Sequence, residues 1–207
     1  MKTIVVTGGT GELGSVVVPR LLKEYRCAVL YRHEQTFKQL VASVNGSEAL
    51  IGLARLEDVK DVAPVYGLVH LAGGFVTGAT ADDFSRMLET NLLSAVRAVD
   101  AVRSLLSKGG RIVVISAATT LSKPAGLAAY TASKAALNVF VETLARDLDA
   151  RDITANALLP STLDTIENQK RNPPDKLVRR ENVAEMIALL LSDRASNVNG
   201  QLIAMTA

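Results

Sequence analysis

The chain has 207 residues, 48% hydrophobic and 21% charged, with a formal net charge of +2. That length builds one domain with a sizeable core and no need of disulfides or a structural metal, so residues 1–207 read as a single domain. The near balance of charge argues against a nucleic-acid partner, and no run approaches the roughly 20 apolar residues that span a bilayer, so no membrane partner is expected.

Short β-branched runs recur along the chain: "TIVVT" at 3–7, "CAVLY" at 27–31, "ALIGL" at 49–53, "YGLVHL" at 66–71, "RIVVIS" at 111–116, "ITANALL" at 153–159 and "GQLIAM" at 200–205. They read as strands, most of them buried on both faces. Helical spacing occupies 12–24, 34–44, 81–106, 130–149 and 182–193. Such alternation predicts an α/β fold, a doubly wound, mostly parallel sheet with helices on both faces. Only about ten residues separate the third and fourth strands, so the crossover there must be very short. The lone cysteine, Cys27, has no internal partner and sits in an apolar run, which fits a core thiol and a reducing, cytoplasmic setting.

Directly after the first strand comes "TGGTGELG", Thr7 to Gly14, and then the apolar run "SVVVPRLL". Strand, glycine turn and helix in that order suit a dinucleotide pyrophosphate: glycines let the backbone approach it, and the helix N-terminus attracts its charge. Gly8, Gly11 and Gly14 are the glycines in question, with Thr10 and Leu13 between them. Pro19 inside the proposed helix removes one backbone bond. Arg32 ends the second strand, followed by His33. An acidic residue there would bind ribose hydroxyls, whereas a guanidinium matches a 2′-phosphate, so NADP is favoured over NAD. His70, within "GLVHL", fits a hydrogen-bonded core histidine better than a catalytic base.

"YTASK" places Tyr130 and Lys134 four residues apart, on nearly one face of a helix. A phenol that gives up or takes a proton suits carbonyl–alcohol interconversion, and an ammonium nearby favours its ionised form, so Lys134 is expected to lower the pKa of Tyr130. Ser116, ending "RIVVIS", can hydrogen-bond the same substrate oxygen. Together "TGGTGELG", Asn91 in "ETNLLSAV", Ser116 in "VISAA", "YTASK" and "PSTLDT" resemble the short-chain dehydrogenase/reductase family over essentially the whole chain.

The resemblance implies Tyr130 as general acid/base, Ser116 as the residue that orients the substrate, Lys134 on the tyrosine and the nicotinamide ribose, and Asn91 holding a water in a proton relay. It implies that Thr165 meets the nicotinamide carboxamide and that Ala72 and Gly73 lie beside the adenosine. It further implies a homodimer or homotetramer paired through the helices at 81–106 and 130–149. Glu12 stands where the commonest single-domain form has its middle glycine, so its side chain must point away from the pyrophosphate. Leu71 replaces an asparagine, which loses a polar contact that stabilises the sheet; Ser161 replaces a glycine; and "GLARLED" lacks the adenine-binding Asp near the third strand.

The function expected is therefore an NAD(P)-dependent oxidoreductase acting on a small molecule, chiefly as a reductase. The alternatives are a dehydratase or epimerase using nicotinamide transiently, or a nucleotide-sensing protein of the same fold. No metal is called for. Residues 73–80, 117–129 and 161–176 are expected to form the substrate walls.

Overall fold

A strand apolar on both faces is satisfied only between two helical layers, and the computed structural model, which describes residues 1–207, has that arrangement. The strands are β1 (Thr3–Thr7), β2 (Arg26–Leu30), β3 (Leu50–Leu53), β4 (Val65–His70), β5 (Leu106–Ile115), β6 (Thr154–Pro160) and β7 (Leu202–Met205). They form one sheet in the order β3-β2-β1-β4-β5-β6-β7, with every pair parallel. Helices α1 (Gly14–Leu21), α2 (Glu34–Ser43), α3 (Ala81–Met87), α4 (Ser94–Arg103), α5 (Thr119–Ser122), α6 (Ala128–Asp147), α7 (Ile166–Gln169) and α8 (Arg180–Leu191) connect them. Helix α1 continues through Pro19.

Alternate residues of the central strands feed two cores. Ile4 and Val6 of β1 pack in the layer that holds Val17, Leu21, Ile187 and Leu191 of α1 and α8. Val5 faces the other side, with Val99 and Val102 of α4 and Leu137 and Val141 of α6. The short crossover between β3 and β4 is a 3-10 helix, Leu56–Val62.

The stretch 81–106 is not the single helix its spacing predicts. Between α3 and α4 lies a π-helical segment, Leu88–Leu93, whose wider turn contains Asn91. The helix ends at Arg103, and Leu106 already pairs with Val65 as the first residue of β5. The register then jumps to Gly67 opposite Arg111, so that Ser107–Gly110 stand against Tyr66 alone, with Gly109 at φ 74°. Apolar periodicity alone does not register that change of geometry.

The order of strands reverses between β1 and β4, and this is where open parallel sheets bind ligands. There the Thr7 hydroxyl lies 2.7 Å from His70 Nδ1, and Ser94 Oγ lies 3.2 Å from His70 Nε2. The polar tie expected to be lost with Leu71 is thus supplied one residue earlier, by His70. Burial first, and the Lys134 ammonium second, push this imidazole down to about 3, so it is neutral in the fold.

An unfolded histidine titrates near 6.5, so below that pH the unfolded state binds a proton the folded state refuses. Stability should fall as pH drops from about 6.5 towards 3, by up to roughly 1.4 kcal/mol per pH unit from this residue. In urea titrations, wild type should lose about 2 kcal/mol between pH 6.5 and 5 on that account, and His70→Gln should lose clearly less. Equal losses would exclude His70 as the acid-sensitive group.

Candidate active site

The residues singled out in the sequence gather along the carboxyl edge of the sheet. Gly8, Thr10, Gly11, Leu13 and Gly14 form the turn from β1 to α1, Arg32 follows β2, Ala72 and Gly73 follow β4, Ser116 follows β5, and Thr165 precedes α7. Gly8 adopts φ 71°, and a Cβ there would lie 2.6 Å from the Ala72 nitrogen. Only glycine lets the chain leave β1 so close to the residues that leave β4. A Cβ on Gly14 would collide with the Gly9 carbonyl, so the helix start and the turn touch backbone to backbone. No side chain caps α1, which leaves its positive end to an anion. This turn fits a pyrophosphate.

Arg32 is exposed and enters no ion pair, because Glu34, its nearest acidic neighbour in sequence, is held 2.7 Å from Lys38. A free guanidinium at the end of β2 fits a 2′-phosphate.

Asn91, Ser116 and Lys134 are buried, and Tyr130 is partly so. Asn91 Oδ1 accepts from the Gly74 N–H at 2.8 Å, and its Nδ2 donates to Ser133 Oγ at 3.0 Å. Ser133 in turn donates to the Tyr130 carbonyl at 2.7 Å. A Cβ on Gly73 would lie 3.0 Å from Asn91 Oδ1 and 3.4 Å from Lys134 Nζ, so those three residues meet at one point. Lys134 Nζ donates to the Ile115 carbonyl at 2.8 Å. Ser116 does not bond Tyr130; its hydroxyl donates to the Lys134 carbonyl at 3.3 Å.

One expectation is reversed. Burial pushes the Tyr130 phenol up to about 12, rather than Lys134 drawing it down. Lys134 is itself lowered to about 8 by burial and spends a hydrogen bond on a carbonyl. Loss of solvation around the phenolate outweighs what so placed an ammonium returns.

Several residues take roles at the site that the sequence did not assign to them. Ser133 links Asn91 to the tyrosine backbone. The Phe75 ring stands edge-on to Tyr130, with centroids 5.0 Å apart. Glu12 does turn from the glycine loop, and its carboxylate accepts the Ile166 N–H at 2.7 Å. Arg180 donates to the Glu12 carbonyl at 3.1 Å and to Asp164 at 3.0 Å. The glycine loop is thereby fastened to the segment after β6, where Thr165 caps α7. The signal for this was the glycine missing at position 12; its partner, more than 150 residues away, had none.

Residues 57–207 match the family model described as Enoyl-(Acyl carrier protein) reductase. The chain is 29% identical to the Cyclic-di-GMP-binding biofilm dispersal mediator protein of Escherichia coli, over 97% of this chain and 94% of that one. It is 28% identical to the 3-oxoacyl-(acyl-carrier-protein) reductase FabG of Rickettsia felis, over 98% and 94%. A blue fluorescent protein from a metagenomic library, solved in complex with NADPH, superposes with a TM-score of 0.88 at 28% identity, covering 99% of this chain and 96% of the other.

Proposed function

Because the chain belongs to the short-chain dehydrogenase/reductase family, we propose that it is an NADP-dependent reductase that converts a small carbonyl compound to an alcohol with Tyr130 as the proton donor. The observation that carries this reading is the cluster at the end of β5: a protonated phenol, a buried ammonium and a serine hydroxyl beside a glycine turn fit for a pyrophosphate. The free Arg32 supports NADP, as does the NADPH held by the metagenomic relative.

When bound, NADPH would supply the hydride that the carbonyl carbon needs. The chain supplies the proton. With its pKa near 12, Tyr130 keeps its proton at neutral pH and is an acid for the developing alkoxide. Ser116 donates to the same oxygen by turning its hydroxyl from the Lys134 carbonyl. Once the phenol has given its proton, the Lys134 ammonium one helical turn away stabilises the phenolate. Asn91, fixed by Gly74 and Ser133, keeps the Lys134 end of the site polar and open to a relay water. A phenol this weakly acidic favours reduction over oxidation, which requires the phenolate. The same reading includes a homodimer or homotetramer, with the exposed Val139 of α6 on the pairing face.

A nucleotide sensor is the second reading, favoured by the name of the Escherichia coli relative. Tight binding of NADPH or cyclic di-GMP without reduction of any carbonyl would support it over the reductase.

Tyr130→Phe should remove nearly all turnover while NADPH affinity, read by fluorescence, stays within about three-fold, a difference under 1 kcal/mol. Turnover near wild type would exclude Tyr130 as the acid. The pH profile checks Lys134 separately. With its pKa at about 8, the ammonium is present below that pH and lost above it, so kcat/KM for reduction should fall above pH 8. Lys134→Met should lower the whole profile and remove that inflection, and an inflection that persists would assign it elsewhere. Arg32→Asp should weaken NADPH by roughly ten-fold or more, since charge-assisted hydrogen bonds to a 2′-phosphate contribute on the order of 1.5 to 3 kcal/mol each. Unchanged NADPH affinity would show that Arg32 does not read the phosphate.

A further inference from the structure

Large apolar side chains left in water mark places where something apolar docks, particularly when they converge on a site with chemistry of its own. Three such side chains stand on the three segments that leave neighbouring strands at the active-site edge. Phe75 follows β4 and is 61% exposed, Leu121 follows β5 at 59%, and Ile166 follows β6 at 63%.

Each lies in a segment held by hydrogen bonds rather than by burial of its own side chain. The Phe75 segment is pinned to the start of α6 by Gly78 N–H to the Gly126 carbonyl at 3.2 Å and Ala129 N–H to the Gly78 carbonyl at 3.3 Å. Leu121 lies in α5, which is tied to α6 by Asn138 Nδ2 donating to Thr120 Oγ1 at 3.1 Å. Ile166 is fixed by its N–H to Glu12 at 2.7 Å. The Phe75 ring already touches Tyr130 edge to face.

Charge is absent from the Phe75 wall, and on the third wall only Asp175 and Lys176, at its far end, stand outside an ion pair. Residues 73–80 carry none. On the third wall, Glu167 is paired with Lys170 at 3.2 Å and Arg171 at 2.6 Å, and Asp164 with Arg180 at 3.0 Å. On the middle wall Lys123 is the one charged residue, at the far end of α5 with φ 49°.

We propose that the substrate is an uncharged carbonyl compound whose carbonyl carbon bears an aromatic ring or bulky apolar group, seated against Phe75, Leu121 and Ile166 with its oxygen towards Tyr130 and Ser116. Phe75 is the principal specificity-determining residue. A ring placed against it meets a second aromatic surface in Tyr130, and offset or edge-on ring pairs add to the gain from burying area. A carboxylate substrate finds no cation on the Phe75 wall to replace its lost hydration. This inference rests on the reductase reading and extends it to the substrate class.

The test compares acetophenone and 2-tetralone with glycolaldehyde and pyruvate, all with NADPH. kcat/KM for the two ring ketones should exceed that for pyruvate by at least a hundred-fold. Phe75→Ser should cut the preference for acetophenone over glycolaldehyde by at least ten-fold, mainly through KM, and Ile166→Ser should cut it by a smaller factor. Because both side chains are exposed, neither change should alter Tm. Ligand-observed saturation-transfer NMR on the wild-type protein without cofactor should give a signal for acetophenone that Phe75→Ser weakens, and none for pyruvate.

Reduction of pyruvate or glycolaldehyde in preference to the ring ketones would overturn the substrate class while leaving the reductase standing. An unchanged preference in Phe75→Ser would remove Phe75 from that role. No reduction of any of the four, with acetophenone giving no NMR signal, would overturn the substrate class; failure of NADPH to bind at all would overturn the reductase reading as well.

Discussion

The Thr7–His70 hydrogen bond joins the carboxyl ends of β1 and β4, the two strands between which the sheet changes direction. Parallel strands whose connections depart to opposite sides leave a crevice at that point, and its width is set by how closely the two strand ends are held. Here they are close enough that Gly8 and Ala72 meet backbone to backbone. The imidazole also reaches Ser94, whose hydroxyl takes the Thr90 carbonyl at 2.6 Å next to the π-helical segment. One neutral side chain therefore fixes the crevice and the start of α4 together. A charged one would need a counter-ion that this interior lacks.

The same burial sets the acid–base character of the site. Desolvation moves the phenol of Tyr130 up to about 12 and the ammonium of Lys134 down to about 8, so two groups of similar proton affinity in water are driven apart in the fold. The phenol thus holds its proton at neutral pH while the ammonium is the first of the two to lose one, and the hydrogen bonds to Ile115 and through Ser133 hold both groups in place. The π-helical segment serves the same end. A regular turn aims side chains at fixed 100° steps, and the extra residue re-aims Asn91 so that it bonds Gly74 and Ser133 at once.

Across the crevice, Glu12 turns what was a departure from the family pattern into a structural tie. A glycine at that position would leave the turn bare, whereas the carboxylate secures Ile166 and, with Arg180 and Asp164, the whole start of the segment after β6. The backbone of Ile166, whose side chain stays exposed, is held by that carboxylate of the glycine loop.

Local pattern by itself determined the seven strands to within one or two residues at most ends, the helical layers and the glycine turn after β1, whereas Asn91, Ser116, Tyr130 and Lys134 were singled out as a group by the family resemblance. Alternation of apolar runs and the φ freedom of glycine are properties of a few adjacent residues. It failed where the deciding contact is distant. The break of 81–106 at Leu88–Leu93 answers to Gly74 and Ser133, which need Asn91 in reach, and the early start of β5 at Leu106 answers to Val65. The direction in which the phenol's pKa moves depends on solvent excluded by elements 50 residues away or more, and spacing within "YTASK" contains no information about that. Which partner Glu12 takes, and that Phe75, Leu121 and Ile166 follow three neighbouring strands, depend on strand order, and only the folded sheet has one.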